Sequence, residues 1–289
     1  MISKKGIIQE IDNLSGLKIM VETYEEIAAS RIRKTRESVL KSRFFVEDLN
    51  LIFSEVKMSY KKEIDMLLKR NRIKDPNKAT FYLRNGKTLF LLVSANTGLY
   101  GDLVKNTYDM FLEEIKKENA EVAIIGKQGL NLFLNEKINK KYTYFDFPDG
   151  GIDDEQLKKI ITFLLQYQRI VVFFSKFQSI ITQKAEMADI SGNIEEQETT
   201  GVPVKYFFEP SIEKILAFFE QEIFASIFEQ TMKESQLAKF AARIVTLDSS
   251  TENIKKRLDQ MLYEKNKLIH SEENKKQLQT FSSMRLWSR

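Results

Sequence analysis

No cysteine occurs among the 289 residues. Disulfides, thiolate metal ligands and a thiol nucleophile are therefore excluded together. His270 is the only histidine, so a metal site built from several imidazoles is excluded as well. No run of about 18 apolar residues exists, and nothing in the sequence reads as a membrane-spanning helix. The opening segment MISKKGIIQEID lacks the apolar core of a signal peptide and reads as cytoplasmic rather than exported. Proline and glycine are scarce, at 4 and 11 residues, while 30% of the chain is charged. Few breakers with many charges favour long helices. A net charge of +4 is too weak on its own to argue for nucleic acid. The 43% of hydrophobic residues is enough for a large core, which excludes wholesale disorder.

The organisation along the chain is legible in its periodicity. Residues 3–60 contain no proline. Apolar or small residues recur at Ile7, Ile11, Leu14, Leu17, Val21, Tyr24, Ala28, Ile32 and Val39. Those gaps of three and four predict a helix with one buried seam, continuing through Phe45, Leu49, Ile52, Phe53 and Val56. At 1.5 Å per residue, a helix of some 50 residues would be about 75 Å long, longer than a domain of this size, so part of it must protrude.

The middle changes character. Leu89–Val93 and Val122–Ile125 are short apolar runs, Tyr142–Phe147 alternates, and Ile170–Phe174 is apolar again. Helical patterns at Val104–Ile115 and Leu157–Leu165 lie between them. Alternating strands and helices predict a small, mostly parallel sheet covered by helices. The Ile170 strand is expected to continue through Ile180, Ile181 and Thr182, and residues 185–201 to form an exposed polar loop. A last strand is expected at Val204–Phe208, with Ser211 after Pro210 as the cap of a final helix.

From Ser211 onward there is neither proline nor glycine. Leu237, Ala241, Ile244, Leu247, Ile254, Leu258, Met261 and Leu268 repeat the seam spacing. The fold class expected is thus α/β and helix-rich. An antiparallel coiled coil of the first helix (1–60) and the last (209–289) would bracket an inserted Rossmann-like domain (75–208). The alternative is that both helices are broken and fold over the domain as a bundle.

Candidate chemistry is thin. Ser94–Gly101 (SANTGLYG) has the place of a dinucleotide fingerprint, strand then turn then helix, but lacks its third glycine. It reads as a structural turn, and no Walker A loop occurs anywhere. Gly126-Lys127-Gln128-Gly129 reads as a turn first and an anion site second. Asp153-Asp154-Glu155 fits a helix N-terminus, and Glu272-Glu273 a charged helix face. Arg31, Arg33, Lys34, Arg36, Lys41 and Arg43 stand against Glu37 alone in a basic belt. Without interleaved aromatics or a reading helix, this belt suits an acidic protein partner or solvent better than nucleic acid. No catalytic residue, cofactor site or metal site is expected.

Several short motifs resemble the gamma subunit of F-type ATP synthases, the central-stalk rotor. Ile27-Ala28-Ala29-Ser30-Arg31 resembles that family's V-A-A-S-K, and Ser94–Gly101 its S-x-D-R-G-L-C-G. Phe208-Glu209-Pro210-Ser211 resembles Y-E-P-S, and Ala241-Ala242-Arg243-Ile244 resembles A-A-R-M. Ser250-Thr251-Glu252-Asn253 resembles A-T-x-N, and Asn266 the asparagine of Y-N. Their order and separation cover almost the whole chain. There are departures: Tyr24 and Glu26 stand where the family has methionines, and Ile269-His270 and Glu273-Asn274 replace its R-Q and I-T-x-E.

The resemblance implies a rotor without a catalytic site of its own, one copy in a complex with the alpha- and beta-type nucleotide-binding subunits of a hexameric head. An epsilon-like subunit and a membrane rotor ring, or a motility-linked load, would be its other partners, on the cytoplasmic face of the membrane. Partner contacts are implied at Ala28, Ala29, Ser30, Arg31, Arg33, Arg36, Arg243, Asn253 and Asn266. Leu278, Phe281 and Trp287 are expected to form an apolar bearing tip. The same role in a gliding motor, and a stand-alone coiled-coil scaffold, are the two other readings.

Overall fold

The computed structural model describes residues 4–59, 85–136, 138, 140–191 and 212–287. Two long helices, α1 (Lys4–Ser59) and α5 (Ile212–Trp287), enclose β1 (Thr88–Val93), α2 (Leu103–Lys117), β2 (Glu121–Ile125), α3 (Lys127–Asn135), β3 (Tyr142–Phe145), α4 (Asp154–Leu164), β4 (Arg169–Phe177) and β5 (Gln183–Asp189) in sequence. Both long helices run unbroken, as the missing prolines dictate. By contacts the chain divides into two units, Met1–Ala29 with Arg243–Arg289, and Ser30–Ala242.

In the larger unit the sheet order is β3-β2-β1-β4-β5. The first four strands are parallel, and β5 runs antiparallel to β4. Side chains alternate across the pleat, so each strand feeds two cores. On one face Leu89, Leu91, Ile170, Val172 and Phe174 pack with Leu157, Ile160 and Leu164 of α4 and Phe224, Phe228 and Met232 of α5. On the other, Phe90, Leu92, Ile124 and Phe173 pack with Tyr108, Phe111 and Ile115 of α2 and Phe133 of α3. Phe173 meets Phe90 and Phe111 edge-on, at centroid distances of 5.4 and 5.3 Å. Each such buried ring contributes roughly 1.5–3 kcal/mol. Asp153 caps α4 through Oδ1, which accepts from the N–H groups of Glu155 and Gln156, so the acidic cluster there serves the helix start.

α1 and α5 pair antiparallel in each unit. In the smaller unit Lys4 Nζ donates to Glu272 at 2.8 Å and Arg257 to Glu10 at 2.9 Å. In the larger, Lys233 Nζ donates to Ser42 Oγ and Arg43 to Glu234, each at 2.7 Å. Phe53 and Val56 meet Leu216 and Ile223 beyond them.

The α1 seam follows a seven-residue repeat, Ile7, Ile11, Leu14, Lys18, Val21, Glu25, Ala28, Ile32, Thr35, Val39, Ser42, Val46, Leu49, Phe53 and Val56, every one buried or half-buried. Leu17 and Tyr24, expected in it, are 44% and 47% exposed, and Phe45 and Ile52 are exposed too. Lys18 and Glu25 hold the seam positions because a strict alternation of four and three keeps one face turned to the partner, whatever residue falls there. On α5, Ile244, Leu247, Ile254, Leu258, Met261 and Leu268 line the seam as expected, with Thr251 and Lys265 between them.

Three other expectations change. Residues 185–189 form part of β5 rather than loop, because their backbone pairs with β4 from Val171↔Asp189 to Phe177↔Gln183. The strand predicted through Ile180–Thr182 ends at Phe177. A turn follows, in which Ser179 N donates to Thr182 O. Lys127–Gly129 begin α3 instead of forming a free turn. The expected strand at Val204–Phe208 and the Ser211 cap lie outside the described residues.

Candidate functional site

The chain leaves β1 toward β2 and β3 on one side, then returns through α4 to β4 on the other. The crevice beyond the carboxyl end of β1 is where an open α/β sheet ordinarily takes a ligand. Here the protein fills it. Asp149, from the loop after β3, accepts from the backbone N–H groups of Asn96 at 3.0 Å and Thr97 at 2.8 Å. It also accepts from Thr97 Oγ1 at 2.8 Å and the Tyr100 hydroxyl at 3.2 Å. The fingerprint-like turn therefore does bind an anion, and that anion is the chain's own carboxylate.

The second anion place is spent in the same way. At the start of α3, the N–H groups of Lys127, Gln128 and Gly129 donate to Asn96 Oδ1, Ala95 O and Ser94 Oγ, at 2.9, 2.8 and 2.7 Å. Those are the donors a phosphate would have used. Gly126 makes the approach possible. Its φ is +96°, and a Cβ there would lie 2.7 Å from the Ala95 nitrogen.

α5 closes the crevice. Ala238 and Ala242 pack on Ala95, Tyr100, Leu103 and Val104. Between those alanines Lys239 sends its Nζ to Ser94 O at 2.9 Å and to Asp149 Oδ1 at 3.5 Å. The two side chains of this pair are only 6% and 10% exposed. Burial by itself would raise the Asp149 carboxyl, but the Lys239 ammonium and the donors on Thr97 and Asn96 outweigh it and hold the carboxyl below its ordinary value. Gln236 Nε2 donates to Gly151 O at 2.8 Å, and from α1 Arg31 Nη1 donates to Gly150 O at 2.7 Å.

The residues expected to meet partners are spread along the two helices. Ala28 is buried in the seam, Ala29 is half-buried and Ser30 is exposed. Arg31 is exposed but engaged with Gly150, whereas Arg33 and Arg36 lie on the open surface of α1. Arg243 is half-buried; Asn253 and Asn266 are exposed. One open groove on α5, of about 680 Å³, brings Asn266, His270, Asn274 and Leu278 to a single face. Leu278 and Phe281 are 66% and 69% exposed. Trp287 belongs to α5, and its side chain lies outside the described residues.

The family model described as ATP synthase matches residues 3–268. Curated proteins named ATP synthase gamma chain match at similar length. That of Halothermothrix orenii is 22% identical over 90% of this chain and 91% of its own. That of Mesoplasma florum is 25% identical over 88% and 87%. The chain belongs to the ATP synthase gamma-chain family.

Solved structures agree in fold. A chain of the Euglena gracilis mitochondrial ATP synthase superposes with a TM-score of 0.53 at 15% identity, over 89% of this chain and 94% of that one. One from the central stalk and c-ring of the Tetrahymena thermophila enzyme gives 0.52 at 14% identity, over 80% and 99%.

Against the gamma-chain pattern, the Asp-Arg of the β1 turn is Asn96-Thr97 in this chain. The turn's charges come instead from Asp149 and Lys239, neither of which stands in a motif of the sequence. Lys239 carried the one available signal, a lone charge within Leu237–Ala242.

Proposed function

We propose that this gamma-chain family member is the central-stalk rotor of an F-type rotary ATPase, coupling nucleotide turnover in a catalytic head to rotation. The observation that carries the reading is the family match at residues 3–268, which runs through both long helices and the inserted sheet. A rotor works by being asymmetric: each catalytic pair around it meets a different face and is biased toward a different state, which couples binding free energies between sites. The chain needs no catalytic groups for this. That the nucleotide-binding place of its sheet is filled by Asp149 and Lys239 supports a mechanical role.

The partners we assign are the alpha- and beta-type subunits of a hexameric head, an epsilon-like subunit and a membrane rotor ring, with one copy of this chain per complex. Ala29, Ser30, Arg31, Arg33, Arg36, Arg243, Asn253 and Asn266 are assigned to the head contact, Ala28 being buried in the seam behind them, and Leu278, Phe281 and Trp287 to its bearing. The exposed Arg33 and Arg36 suit acidic loops of the ring. Among the described residues no helix is long and apolar enough to cross a membrane, so attachment to a membrane would be through partners, on the cytoplasmic side.

Affinity isolation of the full chain, with identification of the copurifying subunits, tests the reading. Subunits bearing Walker A loops support it, and their absence overturns it. A membrane ring in the same preparation identifies the load as ion translocation, while its replacement by other subunits identifies a different one.

A further inference from the structure

Three elements converge on one short loop: α1, α5 and the β1 turn. Pro148–Gly151 is held from α1 by Arg31 through Gly150 O, and from α5 by Gln236 through Gly151 O. Asp149 in the same loop draws in the β1 turn through Asn96 and Thr97. Lys239 of α5 joins the two by donating to Ser94 O while facing Asp149. Apolar packing of helix on sheet is non-directional and tolerates small rotations. A buried ion pair with several aligned hydrogen bonds accepts one setting, and fixing register is the best-attested use of such a pair.

We propose that the Lys239–Asp149 pair, with Arg31 and Gln236, is a key that sets the α/β sheet at one angle on the two long helices, so that torque passes between them without slip. The inference rests on the rotor reading. It makes Lys239 and Asp149 positioning residues, acting through the loop rather than on any nucleotide.

The test separates registration from stability. Removing one charge leaves the other buried without its counter-charge, which destabilises; removing both leaves a neutral, packed site. The variants are Lys239→Met, Asp149→Asn and the double Lys239→Met/Asp149→Asn. Because the chain has no cysteine, Lys158→Cys on the exposed side of α4 gives a unique attachment point for a bead. Each full-length variant is assembled with its catalytic head, the head is fixed to a surface, and the angular variance of the bead is recorded in the pauses between steps.

The single variants are expected to lower the Tm of the free chain, and the double variant to recover it. All three are expected to widen the angular variance by about twofold or more while hydrolysis stays within about twofold of the parent. A double variant that recovers a narrow variance along with its Tm overturns the proposal, since the pair would then be structural only. So does an unchanged variance throughout. A parent chain that never turns overturns the rotor reading instead. The key is then judged on the free full chain by amide exchange at Asn96 and Thr97, expected to be about tenfold faster in the double variant; unchanged exchange overturns it.

Discussion

At the scale of single residues, Asp149 has the clearest pH signature. Its carboxyl is held below the ordinary 3.8 in the folded chain. A group with a depressed folded pKa contributes stability that is present above its unfolded value and lost as pH falls through the folded one. The stabilisation from Asp149 should therefore be intact above about pH 4 and disappear below it. Asp149→Asn should be less stable than the parent at pH 6, and the difference should shrink toward pH 3, as measured by urea unfolding across that range. Gly126 is a second sharp case. Its positive φ and the 2.7 Å approach to Ala95 leave no room for a methyl group, so Gly126→Ala should cost about 1–3 kcal/mol or more in the same assay. Gly16, which meets nothing within 4 Å, should gain about 0.4–1 kcal/mol or change little on substitution by Ala.

At the scale of elements, legibility followed burial on both sides. β1, β2 and β4 were readable because parallel strands covered on two faces are short, nearly continuous apolar runs. β5 was not. It is an edge strand of sequence QKAEMAD, formed by its backbone ladder to β4 rather than by apolar side chains. α3 was hidden by Gly129, which sits inside the helix because a Cβ there would lie 2.7 Å from the Ser94 side chain. The long helices were legible as elements, but their seam was legible only where it is apolar. Lys18 and Glu25 occupy it while Leu17 and Tyr24 face outward, since hydropathy alone cannot see a face fixed by neighbours on either side. Polar residues in a seam stabilise less than apolar ones, so Lys18→Leu should raise stability by roughly 1–2 kcal/mol. A lower Tm for that variant would place Lys18 outside the seam. The Lys239–Asp149 pair was unreadable for a different reason: its members are 90 residues apart in sequence, and only the completed sheet brings them together.

At the scale of the whole molecule, the antiparallel pairing makes a direct demand. Glu10→Cys with Arg257→Cys, at positions whose side chains now form an ion pair of 2.9 Å, should be joined within one chain by a bifunctional thiol reagent. Products that are only intermolecular would refute the pairing. Assembly with a head tests the bearing. Phe281→Ala with Trp287→Ala should weaken the complex more than His270→Ala. A buried aromatic is worth roughly 1.5–3 kcal/mol, whereas an exposed ion pair is typically worth under about 1 kcal/mol. If His270→Ala alone stalls turnover and the aromatic pair proves silent, the contact with the head is polar at that point.

The pairing of α1 with α5 also imposes an order of events on synthesis. The contacts that close the smaller unit join residues 247 and 268 positions apart. At about 5–20 residues per second, α1 waits on the order of ten to fifty seconds on the ribosome before its partner emerges. The sheet, whose contacts are nearer in sequence, has time to form first. During that interval Ile7, Ile11, Leu14 and Ala28 have nothing of their own chain to cover them. The nascent protein therefore carries an uncovered apolar stripe through most of its production, which marks α1 as the segment a chaperone would hold and as the point where aggregation would start when α5 is truncated.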